Sequence, residues 1–132
     1  MRWFVPLACL LLAGCTIGSA PGHALTGTSW RFVAIDGDQP VSSDAKLEFE
    51  AKHLGANVGC NGMGGNWRVE NGRLIAGPLM QTEMYCEGRV WDQEQAISAL
   101  LAAAPAVDHR QDRLVLKSSG HSAELVRITG QP

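Results

Sequence analysis

No cluster of basic residues occurs anywhere in this chain: 11 lysines and arginines are scattered among 13 aspartates and glutamates. Neutralising a nucleic-acid backbone needs several cations on one face, so partners of that class are set aside. Missing too is an apolar run of the roughly 20 residues that a permanent membrane helix requires. Catalytic signatures are equally scarce. The chain holds no GxSxG elbow, HExxH helix, phosphate-binding GxxxxGK[ST] loop or GxGxxG turn. Residues 59–65 are glycine-rich, but they lack the Lys-Ser/Thr ending and the following helix of a phosphate cradle. The histidines show no paired spacing that would build a metal site, and His53, His109 and His121 fall on expected strand edges or turns. Glu83 and Glu87 flank Cys86 without a defined cleft. The reading is a non-enzymatic protein with no cofactor and no metal.

What is present begins with a leader. Residues 1–14 combine a basic start (Arg2), an apolar stretch over residues 3–13 and small residues before Cys15, the layout of a signal peptide. Leu12-Ala13-Gly14-Cys15 is similar to the lipobox read by lipoprotein signal peptidase. That resemblance implies cleavage before Cys15, diacylation of its sulfur and acylation of its new amine, and several acyl chains anchor stably where one is marginal. Thr16, rather than Asp, resembles the default signal for the outer membrane, so the expected location is the periplasmic face of that membrane. Residues 16–24 are small, contain Gly and Pro, and read as a flexible tether. Loss of Arg2 shifts the formal charge from −2 to about −3. The remainder, residues 25–132, has room for one ordinary domain.

Four cysteines are encoded, of which Cys9 leaves with the leader and Cys15 is committed to lipid. Cys60 and Cys86 remain in an exported domain, where oxidising conditions favour a disulfide. A bridge would close a loop of about 25 residues, worth on the order of 3 kcal/mol in the chain-entropy model. Two separate buried thiols are the alternative. Thiol chemistry lacks a CxxC pair.

Along the domain, short strand-like runs alternate with turn residues. Residues 30–35 are strand-like and close at Asp36-Gly37-Asp38. Residues 45–50 put Leu47 and Phe49 on one face and Lys46, Glu48 and Glu50 on the other. A third run, residues 54–60, leads into Asn61-Gly62-Met63-Gly64-Gly65, read as a turn. Trp67 and Val69 mark the returning strand, and Asn71-Gly72 is the strongest hairpin signal, followed by residues 73–76. After Cys86 the period changes. Val90, Ile97, Leu100, Leu101 and Ala104 fall at helical spacing over about 88–104, and Pro105 ends the run. Two late strands, residues 113–117 and 123–128, turn at Ser118-Ser119-Gly120. The expected fold is α+β: a strongly curved antiparallel meander of about seven or eight strands cradling one helix. Trp30, Trp67 and Trp91 would anchor the core or line a cavity. Met80 and Met84 would either fill the core with Met63 or form a soft apolar patch.

Five stretches together resemble the META domain: Leu25-Thr26-Gly27-Thr28-Ser29-Trp30, Gly59-Cys60-Asn61 before its glycines, Gly72-Arg73-Leu74, Thr82-Glu83-Met84-Tyr85-Cys86, and Leu114-Val115-Leu116. The whole precursor looks like the HslJ class of heat-shock-associated bacterial lipoproteins. The resemblance spans residues 25–128 and implies a β-rich curved sheet around a helix. It also implies a role in stress response or envelope integrity without an established enzymatic activity. Trp30, Gly59, Asn61 and Thr82 are read as structural signature residues, with Asn61 suited to a left-handed turn. The expected partners are the membrane, through Cys15, and an unidentified envelope protein. A small apolar ligand or lipid held between sheet and helix, lined by Trp67, Met84, Trp91 and Ile97, is the alternative, and pilotin-like assembly factors lie between the two.

Overall fold

The structure, a computed structural model, describes residues 24–129. The leader, Cys15 and residues 16–23 of the tether lie outside the described residues. From Thr28 onward the described residues form these elements in order: β1 (Thr28–Ile35), β2 (Lys46–Phe49), β3 (His53–Asn57), β4 (Gly62–Glu70), β5 (Arg73–Ala76), β6 (Met80–Gln81), α1 (Arg89–Ala102), β7 (Ala106–Arg110), β8 (Arg113–Lys117) and β9 (Ser122–Arg127).

Alternation decides which side chains point inward. Leu47 and Phe49 of β2, Leu54 and Ala56 of β3, Leu114 and Leu116 of β8, and Ala123 and Leu125 of β9 are all buried. Each large apolar side chain removed from water contributes roughly 1.5–3 kcal/mol. In β1 the inward set shifts from Trp30 and Phe32 to Ile35, because a bulge between Phe32 and Ala34 inserts one residue against β9. The hairpin at Asn71-Gly72 forms as its chemistry demands, with both residues at positive φ (52° and 74°). Asp36-Gly37 repeats the device (51° and 82°), with Ile35 and Asp38 exchanging both backbone bonds.

The sheet differs from the expected open meander by closing on itself. The strands are neighbours in the order β3-β2-β1-β9-β8-β7-β5-β4, and β4 pairs again with β3. The result is an eight-stranded antiparallel barrel, with β6 added to β4 beyond the end of β5. Its longest-range seam joins β1 to β9, register Trp30↔Arg127 through Ile35↔Ala123. The seam between β5 and β7 is narrow, one register pair (Arg73↔Ala106) flanked by Leu74 N–H to Pro105 O and Val107 N–H to Gly72 O. Closure removes the unpaired edges that an open sheet of this size would present.

A second correction concerns residues 62–65, which were expected to turn. They are the first half of β4, and the turn lies before them, with Gly59 at φ 124°. Gly64 and Gly65 serve close approach. A Cβ on Gly64 would lie 2.9 Å from the Leu54 carbonyl oxygen, and one on Gly65 would lie 2.7 Å from that of Pro78.

Helix α1 buries Ala96, Ile97, Leu100 and Leu101 in the core. It lies against the end of the barrel that carries the β1–β2 and β3–β4 connections. There the Gln93 side chain accepts from Val41 N–H (2.9 Å) and donates to Gln39 O (2.9 Å). Ala104, expected in the helix, instead takes φ 50° and delivers the chain to Pro105.

Candidate functional site

The Gly59-Cys60-Asn61 turn and residues 82–86 are far apart in sequence and meet at this end of the barrel. Asn61 is the knot. Its Oδ1 accepts from Thr82 Oγ1–H (2.9 Å) and from Met84 N–H (2.7 Å). Its Nδ2 donates to Met84 O (2.9 Å) and to Glu94 Oε2 (3.0 Å), so all four bonding positions of the amide are filled. Its backbone N–H donates to Glu94 Oε1 (2.5 Å). Thr82 completes the circuit by accepting from Gly62 N–H (3.1 Å). Asn61 is therefore not a left-handed turn residue, and its φ is not positive. It binds chain that lies more than 20 residues away. Among the described residues every buried side-chain nitrogen and oxygen has a partner, as an interior network requires.

A disulfide between Cys60 and Cys86 (Cα–Cα 6.2 Å) fastens the same two segments beside this knot. Gly59 fits between the β1–β2 connection and the helix: a Cβ there would lie 2.9 Å from Ser42 Cβ and 3.0 Å from Val90 Cγ2. Trp30 is held separately, at the start of β1. Its indole N–H donates to Thr28 Oγ1 (2.7 Å), whose own hydroxyl donates to Leu25 O (2.5 Å).

Fixed in this way, residues 80–85 present large apolar side chains to solvent. Met80 is 81% exposed, Met84 59% and Tyr85 76%. Two hollows border the stretch. The larger, about 760 Å³, lies on the outside of β2, β3, β4 and β6. Its floor includes the backbone where Gly55 pairs with Gly64, with the His53 ring against Gly64, Glu48 on one side and Met80 on the other. The smaller, about 270 Å³, lies between residues 81–85 and the first turns of α1, and includes Tyr85, Trp91 and Glu94. The Tyr85 and Trp91 rings are 5.4 Å apart and inclined at 53°.

A family model of the META domain matches residues 23–130. The chain belongs to the META domain family. No curated protein sequence matches it. Two protein structures solved by NMR are similar to it. One shares 20% sequence identity, covers 82% of this chain and 95% of its own, and has a TM-score of 0.72. The other, from Burkholderia xenovorans, shares 22%, covers 96% of this chain and all of its own, and has a TM-score of 0.67. Likeness at that identity shows the fold alone.

In this META domain the four residues read as a ligand or partner patch are parted. Trp67 and Ile97 are buried in the core, with Trp67 edge-on to Phe49 and donating to Glu50 O (2.8 Å). Met84 and Trp91 line the small cleft instead. A carrier site lined by all four is not what this barrel builds. Glu94, which no motif in the sequence singles out, is fully buried. A signal was present: residues 90, 94, 97 and 101 share one helical stripe, and an acid on an apolar stripe calls for a buried partner. Of the histidines, His109 meets the Trp30 ring edge-on at 5.3 Å, and His121 Nδ1 bonds Asp36 Oδ2 (2.8 Å). Burial pushes the Asp36 carboxyl up, but bonds from His121 and from Ser122 N–H, with the charge of the His121 ring, outweigh it and hold the carboxyl below its ordinary value.

Proposed function

We propose that this META domain is the folded part of a non-enzymatic envelope lipoprotein, anchored through Cys15 on the periplasmic face of the outer membrane. There it serves stress tolerance or envelope integrity by docking a protein partner on residues 80–85. The observation that carries this reading is the concentration of Met80, Met84 and Tyr85, all exposed, in six consecutive residues fastened by the Asn61 network and the disulfide. Exposed apolar side chains gathered in one patch mark interaction surfaces, and methionine and tyrosine suit adaptable contacts.

Topology supports a protein rather than the bilayer as the occupant. The chain enters the barrel at Thr28, which pairs with Phe49. The Asn57↔Gly62 end of β3 and β4, where Thr82 follows, is the opposite one. A lipid at Cys15 therefore pulls on one end, and Met84 and Tyr85 lie at the other. The nine tether residues, 16–24, reach at most ~30 Å, which keeps the domain near the membrane with that end free.

Photo-cross-linking in cells tests the reading. A photoreactive residue at Tyr85 should yield one discrete product with an envelope protein, and the same residue at Ser119 should not. Equal products at both positions, or none at Tyr85 in correctly anchored protein, would count against it.

A further inference from the structure

The small cleft beside α1 shares Met84 and Tyr85 with the docking stretch, but it adds Trp91 and the buried Glu94, which the docking reading does not use. Its walls include Tyr85, Met84 and Trp91, its rim carries Glu83, and no lysine, arginine or histidine lines it. Glu94 lies beneath the floor, fully buried. Both its oxygens accept from N–H donors of Asn61, as a carboxylate's do. No cation pairs with it among the described residues. A buried charge is screened far less than a surface one, so its field reaches into the cleft above it. Aromatic rings beside a buried negative charge attract an organic cation, through ring quadrupoles together with direct charge. An anion would meet the same field as repulsion, and a neutral apolar group would gain nothing from it.

We propose that this cleft binds an alkylammonium group. Its volume of about 270 Å³ suits a single small amine or one side chain rather than a drug-sized molecule. The group could belong to a free amine or to the lysine side chain of a peptide, and the cleft reads the chemistry common to both. Met84 and Tyr85 belong to the docking stretch as well, but binding of a small amine to the isolated protein needs no docked partner, so either reading can fail without the other.

The test is NMR titration of the full chain in detergent micelles, following the Trp91 indole N–H. Butylammonium should shift it saturably at millimolar concentration, and 1-butanol, of the same shape without charge, should shift it at least tenfold less. Tyr85→Leu should weaken butylammonium by about tenfold, the effect of one lost aromatic wall. Glu83→Gln should weaken it about threefold, an exposed charge contact. Both side chains are exposed, so neither variant threatens the fold. Nα-acetyl-lysine amide binding as tightly as butylammonium assigns the site to a peptide lysine; butylammonium binding without it assigns the site to free amines. Equal response to butanol, no saturable shift, or an unaffected Tyr85→Leu protein would overturn the proposal.

Discussion

Asn61 shows how much one side chain can carry when its bonding capacity is filled. Its amide joins the β3–β4 turn, residues 82–84 and the helix, three segments with no local reason to meet. Truncation leaves the Glu94 carboxylate buried with one partner lost and the Met84 backbone unsatisfied. We expect Asn61→Ala to cost about 3 kcal/mol, the upper range for stranding buried polar groups, and Thr82→Val about 1 kcal/mol. Urea unfolding followed by tryptophan fluorescence would check both values. Asp36 gives a prediction in pH. Its folded carboxyl lies below the unfolded value, so its contribution is present above the unfolded pKa and is lost as pH falls through the folded one. Melting temperatures of the wild type and Asp36→Asn should therefore differ near neutrality and converge below the ordinary carboxylate range. A constant difference down to strongly acid pH would contradict the assignment.

At the scale of elements, the strands with clean alternation were legible and those without it were not. Leu47 and Phe49, or Leu114 and Leu116, announce a half-buried strand. β7 offers only the half-buried Val107 among Asp108, His109 and Arg110, so nothing local distinguishes it from a linker. The first half of β4 was hidden for a different reason. Glycine signals a turn when positive φ is needed, but Gly64 and Gly65 are there because neighbouring backbone leaves no room for a Cβ. Gly64→Ala and Gly65→Ala should each destabilise by about 2 kcal/mol through overpacking against carbonyl oxygens that cannot move aside. Gly72→Ala meets nothing within 4 Å and should cost about 1 kcal/mol through its positive φ alone. The disulfide belongs to this scale as well, since it ties the β3–β4 turn to the segment before α1. Cys60→Ser with Cys86→Ser should lower stability by on the order of 3 kcal/mol. Hydrogen exchange should rise first at residues 82–86, where few apolar contacts remain to hold the chain.

At the scale of the molecule, curvature and a single late helix could be read from the spacing of turns and from one change of period. Closure could not, because it depends on β1 meeting β9 and β5 meeting β7, pairings that no local pattern encodes. The family signature was visible as residues but not as a device. Only the barrel shows that its cysteines, asparagine and threonine fasten one exposed apolar stretch. Binding through that stretch requires that function be separable from fold, and the decisive measurement makes the separation. A protein carrying Met80→Ser, Met84→Ser and Tyr85→Ser should be exported and anchored normally, with a melting temperature close to wild type because all three side chains are exposed. In cells lacking the native copy it should fail to restore stress tolerance, as completely as a deletion. Full restoration by this folded triple variant would contradict the account.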